Sequence, residues 1–375
     1  MHQFPAPIPL KKLIGPSFVI LALGLGSGEV ILWPYLASNY GLGIIWGALI
    51  GITFQYFINM EIERYALVKG ESVFVGIARF WKLAPLWFIL STFAGFGLPG
   101  IIAASAKIFA SMTGIGDFRM VAIVSLLGIG VVLSSGKTVY GLMEKLTKTV
   151  ILACVPCLFL LAMFLGSHAD WSALAQGFVG IGEGYTFLPE GIALATFLGA
   201  FAYAGAGGNL NLTQSIYVKE KGYGMGKYAQ KIAGLFTHHS AEQTFSLEGK
   251  AFRMNATARK NFAIWWRRIS IEHALVFWFV GALSISLLAL LAYTTTFGAT
   301  NNGEGITFLL TEGRVIGEQL GPLVGWGFLL IVAIMLFQTQ LGVMDSTSRI
   351  MAENAAVMQM YYNGKSTVRL SKMYF

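Results

Sequence analysis

Eight apolar runs set the class of this chain before any motif is considered. They fall at roughly 13–36, 42–60, 84–110, 120–136, 149–166, 190–217, 269–296 and 323–347, each near the ~20 residues that a helix needs to cross a bilayer. Only 12% of the 375 residues are charged and the mean hydropathy is +0.66, against about 25% charged residues in soluble domains. The expected fold is an all-α polytopic membrane protein, residues 1–375 forming one transmembrane domain. The bilayer is its first partner.

The net charge of +8 is a topology signal. With the N-terminus in the cytoplasm, strict alternation puts 23 of the 26 Lys and Arg residues on the cytoplasmic side, as the positive-inside rule requires. Only Lys107, Arg119 and Arg314 fall elsewhere, and 167–189 contains no Lys or Arg. Nucleic acid is thereby excluded as a partner. Lys11 and Lys12 precede an apolar run that is too long and lacks the small-residue site of a cleavable signal peptide. The polar stretch 218–268 is a basic cytoplasmic insertion. Its Phe262, Trp265 and Trp266 beside Arg267 and Arg268 suit an amphipathic piece on the inner leaflet.

Within the first run, Gly24, Gly26, Ser27, Gly28 and Glu29 stand together. Each glycine costs a helix about 1 kcal/mol relative to alanine, and a mid-membrane acid costs about 2.5–3.5 kcal/mol or more. Both are tolerated where unwound backbone lines a cavity and binds a ligand. The sixth run carries a second interruption, Gly205-Ala206-Gly207-Gly208, followed by Asn209, Asn211, Thr213 and Gln214 at helical spacing. Runs one and six are five spans apart and so enter from opposite sides. That is the layout of a secondary transporter of two inverted five-helix repeats with a midplane site, here about 13–166 and 190–375. Two full repeats need ten helices and eight are visible. The last residues, Ser371 to Phe375, suggest the start of another helix, so the second repeat is either incomplete or continued in a longer protein.

Gly15-Pro16, the GSGE of 26–29, Asn39-Tyr40-Gly41 with Trp46, Gln55-Tyr56 and Gly70 resemble the first two helices of the Nramp metal transporters. Ala202 to Ser215 resembles their sixth helix, and Gln340 to Ala352 more loosely their eighth. The resemblance implies a LeuT-type fold with discontinuous helices 1 and 6, proton-coupled import of divalent metal and a cytoplasmic N-terminus. The setting expected is the plasma membrane of a prokaryote. The departures fall on the ligands. The family's Asp-Pro-Gly-Asn is Gly26-Ser27-Gly28-Glu29 here, its Met-Pro-His is Ala206-Gly207-Gly208, a later histidine is Thr213, and its helix-three acids have no counterpart between 84 and 110.

The remaining donors are Glu29, Ser27, Asn209, Asn211, Gln214, Gln338, Gln340 and backbone carbonyls, an oxygen-rich set unlike the N and S ligands a transition ion prefers. A bare transition ion is disfavoured. A hydrated Mg²⁺, an organic solute or a bulkier metal species such as chelated ferric iron remains, the last being preferred. Amides at the start of the second half of helix six, near Gly207, would favour an anionic group on the substrate. Glu29 is the candidate metal ligand, coupling carboxyl or ion-pair partner. Asp345 is a weaker coupling candidate near the inner end of run eight, and Glu61, Glu63 and Arg64 form an interfacial end-cluster.

Other motifs are bland. Cys154 and Cys157 spell CxxC inside an apolar helix beside Pro156, where a thiol lacks the electropositive, exposed setting that reactivity needs. His238-His239 has no partner at metal-ligand spacing. No nucleophile triad, HExxH or phosphate loop appears, so an enzyme is not expected and no cofactor is implied. A receptor that binds without flux is the rival to a transporter.

Overall fold

The computed structural model describes residues 2–375 except 11–12, 99, 234, 236–243, 245, 300–302, 304 and 364–366, and at Ser27 the backbone alone. His238 and His239 lie outside the described residues. Helix α1 (Pro16–Gly24) stops short, and a π-turn over Ser27–Leu32 leads into α2 (Trp33–Tyr40). The two halves of this first span are bent by 48°. There follow α3 (Ile45–Lys69), α4 (Val73–Phe80), α5 (Ala84–Phe96), α6 (Gly100–Thr113), α7 (Phe118–Ser135), α8 (Val139–Leu165) and α9 (His168–Gly177). A two-residue hairpin, β1 (Ile181–Gly182) with β2 (Tyr185–Thr186), precedes α10 (Leu194–Ala202), α11 (Gly208–Leu212) and α12 (Gln214–Lys221). Then come α13 (Ala256–His273), a second π-turn over Ala274–Phe279, α14 (Val280–Thr296), α15 (Ile306–Leu320), α16 (Pro322–Asn363) and α17 (Leu370–Tyr374).

Helix ends follow local chemistry. Pro16, Pro34 and Pro85 sit in first turns, where the missing N–H has no partner to lose. Gly70 closes α3 in the left-handed conformation. Ser167 and Asp170 cap each other's backbone amides at the start of α9.

Among the described residues, seven of the eight expected spans are long and apolar enough to cross a membrane, the first as a bent pair, while 190–217 is divided among α10, α11 and α12. Charged turns continue a helix beyond its apolar window. Thus α8 begins at Val139, α16 runs to Asn363, and α13 continues through the π-turn into α14 as a rod from Ala256 to Thr296. The 256–268 piece is therefore the polar end of span seven, and it grips the N-terminal segment. Trp265 Nε1 donates to Pro5 O at 3.1 Å, and Phe4 packs on Phe252 and Phe262. Residues 370–374 form a single helical turn against α16.

The basic segments gather on one face. His2 N donates to Ala251 O, Lys221 pairs with Glu144, Lys148 reaches Ile14 O, and Tyr362 reaches Lys82 O. The opposite face carries the hairpin, where Trp46 donates to Phe187 O and Tyr185 to Tyr40 O. Span one starts on the basic face and span six ends there, so the two broken helices run in opposite directions. Cys154 is buried and Cys157 is exposed, and both are free thiols.

Candidate functional site

The two interrupted helices touch at their breaks. A side-chain carbon on Gly24 would stand 2.9 Å from the Gly205 backbone, and one on Gly28 only 2.7 Å from Tyr203 O. The alternate glycines of span one thus serve close approach. Those of span six serve a turn instead, Gly205, Gly207 and Gly208 having φ of 121°, 70° and 53°.

Side chains from neighbouring helices satisfy the peptide groups that the breaks free. Gln55 on α3 donates Nε2–H to Ala202 O at 2.9 Å and accepts the Gly207 amide on Oε1 at 3.1 Å. Thr339 on α16 approaches Leu25 O at 2.7 Å and Ala22 O at 3.0 Å with its hydroxyl. In a bilayer, where water cannot take that role, such partners are obligatory. The Gly207 amide is consequently engaged, which corrects the expectation that it faces a substrate anion.

A cavity of about 270 Å³ lies between these breaks. Span one lends Gly24, Gly26 and Gly28, span six lends Tyr203, Gly205 and Ala206, and α16 lends Thr339 and Gln340. The fourth wall is a third interruption between α5 and α6, with Gly95, Phe96, Leu98 and Gly100. Span three was expected unbroken, although Gly95, Gly97, Pro99 and Gly100 are the punctuation that marks such a break. None of the lining residues is charged.

The expected site residues separate into groups. Gly26, Gly28, Ala206 and Gln340 line the cavity. Gly207 and Gly208 form the turn behind it. Glu29 is fully buried against Gly24 and Gly205, and does not line the cavity. Neither of its carboxylate oxygens has a hydrogen bond of good geometry among the described residues. Asn209 donates to Ser91 and Thr92 hydroxyls of α5, at 2.8 and 3.1 Å. The Thr213 hydroxyl turns back to Leu210 O within its own helix. Asn211 and Gln338 are buried, with Asn211 Oδ1 and both amide atoms of Gln338 unpartnered among the described residues.

Two polar clusters lie toward the basic face. Asp345 is buried, not solvated, and receives Arg349, Tyr217 and Tyr374. Arg349 also binds Glu220 at 2.6 Å, and Lys219 binds Glu353 at 3.0 Å. In the other cluster, Gln214 donates to Glu63 Oε1 at 2.6 Å, and Glu63 meets His273 Nδ1 at 3.0 Å. Glu61 and Arg64 do pair at the surface, but Glu63 is only 1% exposed. It occupies the opposite side of the helix, which corrects its assignment to an interfacial group. Among the described residues no three of His, Cys, Asp and Glu are placed to hold a metal ion.

No family model and no curated protein sequence matches the chain. Solved structures do. A mutant of the Eremococcus coleocola manganese transporter, with one histidine replaced by alanine, superposes with a TM-score of 0.62 at 10% identity, covering 99% of this chain and 72% of that one. The same transporter in complex with an aromatic bis-isothiourea substituted compound gives 0.62 at 11% identity, covering 100% and 71%. Mhp1, a nucleobase-cation-symport-1 family transporter in a closed conformation with bromovinylhydantoin bound, gives 0.52 at 13%, covering 100% and 77%. The chain has the LeuT-type fold of these proteins.

Proposed function

We propose that this chain is a secondary active transporter whose substrate occupies the cavity between the three helix breaks, and that the substrate is a small uncharged organic solute. The observation that carries the reading is the lining itself: glycine backbone, aromatic and aliphatic side chains, the Thr339 side chain and the single amide of Gln340, with no carboxylate, imidazole or thioether among the described residues. A divalent ion keeps its affinity only by exchanging water for charged or strongly polar oxygens, and Glu29 stands outside the lining. Chelated ferric iron, the species preferred on sequence grounds, finds no charged group there to hold it. At about 270 Å³ the cavity also lies just below the usual range of ligand sites, about 300–1,000 Å³. A planar molecule with adjacent donor and acceptor, such as a cyclic amide, matches Gln340 in both capacities.

The test is uptake into proteoliposomes of a radiolabelled hydantoin, free Mn²⁺, free Mg²⁺ and ferric citrate. The hydantoin is expected to accumulate and Gln340→Leu to reduce its uptake at least tenfold. Comparable uptake of Mn²⁺, Mg²⁺ or ferric citrate would overturn the substrate class. Binding of a solute without any flux would overturn the transporter in favour of a receptor.

A further inference from the structure

Below the cavity, toward the basic face, hydrogen bonds tie span one to span seven through buried titratable groups. Ser17 lies seven residues before Gly24, about 10 Å along a helix that rises about 1.5 Å per residue. Its hydroxyl is 2.5 Å from Glu272 Oε2 and 2.8 Å from His273 Nδ1, and the Gly15 amide donates to Glu272 Oε1 at 3.3 Å. His273 Nδ1 is in turn 3.0 Å from Glu63 Oε1. Tyr56 and Phe277 stack on the two sides of the imidazole. Ser17, Glu63, Glu272 and His273 are all at most 4% exposed.

The charges around this group do not balance. From α8, Glu144 faces Gly15 and pairs with Lys148 at 2.5 Å and with Lys221 of α12 at 2.6 Å. The buried phenols of Tyr140 and Tyr223 border the group. Lys219 is committed to Glu353. Among the described residues, three carboxylates, Glu63, Glu144 and Glu272, therefore share two ammonium groups, and the surplus negative charge falls on Glu63 and Glu272, which are almost fully shielded from solvent. An isolated buried charge is neutralised in preference to being kept. A metal or sodium ion does not fit between partners already 2.5 to 3.0 Å apart. A proton does. Two buried polar groups without partners among the described residues, His273 Nε2 and the Asn59 amide one turn from Glu63 on α3, mark the same place as incompletely satisfied.

We infer that Glu63, His273 and Glu272, joined through Ser17, form a proton-binding site that takes up one proton when α1 is packed and loses it when α1 swings away. The proton belongs to the group as a whole, since the interacting sites titrate together. It is held as a carboxylic acid shared between Glu63 and Glu272. Its loss restores the unpaired negative charge, and the packed position of α1, which seals the cluster from water, becomes unfavourable. Ser17 and Gly15 are the positioning residues that convert occupancy into the position of α1.

The protein in lipid nanodiscs tests this directly, by hydrogen-exchange protection factors of 17–24 between pH 5 and 9, corrected for intrinsic exchange. Protection is expected to fall with rising pH by up to about tenfold per unit, the limit for one linked proton. Glu272→Gln, permanently neutral, is expected to keep α1 protected at every pH. Ser17→Ala is expected to abolish the slope while an infrared carboxylic-acid band that Glu272→Gln or Glu63→Gln removes remains. A flat wild-type profile, or an unchanged slope in Glu272→Gln, overturns the site. Should Glu272→Gln not fold, absence of any titrating infrared band that Glu63→Gln removes does the same. The link of this site to transport rests on the function proposed above, but the exchange profile does not. A pH-dependent α1 in a protein that moves no solute would leave the proton site standing and remove the transporter.

Discussion

The amide of Gly207 donates to Oε1 of Gln55 at 3.1 Å, across 152 positions of sequence. With Nε2 of the same side chain on Ala202 O, one residue of α3 supplies both a donor and an acceptor to the broken span six. Gln55→Leu strands both peptide groups, at about 1–3 kcal/mol for each buried group left unpartnered. Gln55→Glu keeps the acceptor but loses the bond to Ala202 and adds a buried acid at about 2.5–3.5 kcal/mol, so its thermal midpoint in detergent is expected well below wild type and near that of Gln55→Leu.

Thr339 plays the corresponding part for span one from α16. Thr339→Val preserves shape and removes the hydroxyl, again leaving buried carbonyls at about 1–3 kcal/mol. Thr339→Ser is expected to lie near wild type. The same thermal series reads both substitutions.

The glycines separate by what a methyl group would meet. Gly28→Ala drives a carbon to 2.7 Å from Tyr203 O, an overpacking of about 1–3 kcal/mol, and is expected to abolish uptake of the transported solute. Gly199, within α10, has open space around it. Gly199→Ala is expected to stabilise by about 0.5–1 kcal/mol through helix propensity and to leave uptake unchanged.

Arg349 is 1% exposed and holds Asp345 and Glu220 together. Arg349→Gln leaves two carboxylates buried without their cation, at about 3–5 kcal/mol. Arg314→Gln, whose pair with Glu318 is well exposed, is expected to change the midpoint by no more than the error of measurement.

Outside the membrane, Glu71 fastens the long polar loop to the α3–α4 corner. Burial pushes its carboxyl up, but Arg79, the Gly249 amide and the Tyr65 hydroxyl together hold it below the ordinary carboxylate range. A group lowered on folding stabilises above its unfolded pKa, about 4.3 for Glu, and loses that contribution as pH falls through the lower folded value. Exchange at 246–250 is expected to accelerate below about pH 4, and Glu71→Gln to show the fast rate already at neutral pH.

Sequence made the spans and the two principal breaks legible because glycines and an acid inside apolar runs carry a large cost that hydropathy exposes. Span three hid its break because its glycines and Pro99 sit within a run that still averages as apolar. The site was less legible. Asn209, Gln214 and Asp345 are polar residues in apolar helices, and spacing alone assigned them to one interior. In the structure each turns to a different neighbour: α5, Glu63 or Arg349. Glu63 was obscured by the exposed Glu61–Arg64 pair beside it, and Glu272 and His273 by the basic stretch before them. Which side of a helix meets which partner is a tertiary fact that periodicity does not carry.

The π-turn over Ala274–Phe279 follows directly on Glu272 and His273. A π-turn holds one residue more than the α-helical turn it replaces, so span seven stores a spare residue at its midpoint. Returning that residue to α-helical register would rotate the 256–273 half by about 100° against the 280–296 half. That rotation would carry both side chains off α1 while Val280–Thr296 stayed as it is. Span seven would then act as a ratchet with two stops, where α1 alone would be a swinging arm. Deleting Leu275 fixes the second stop, and α1 amides that remain as protected as in wild type would refute it.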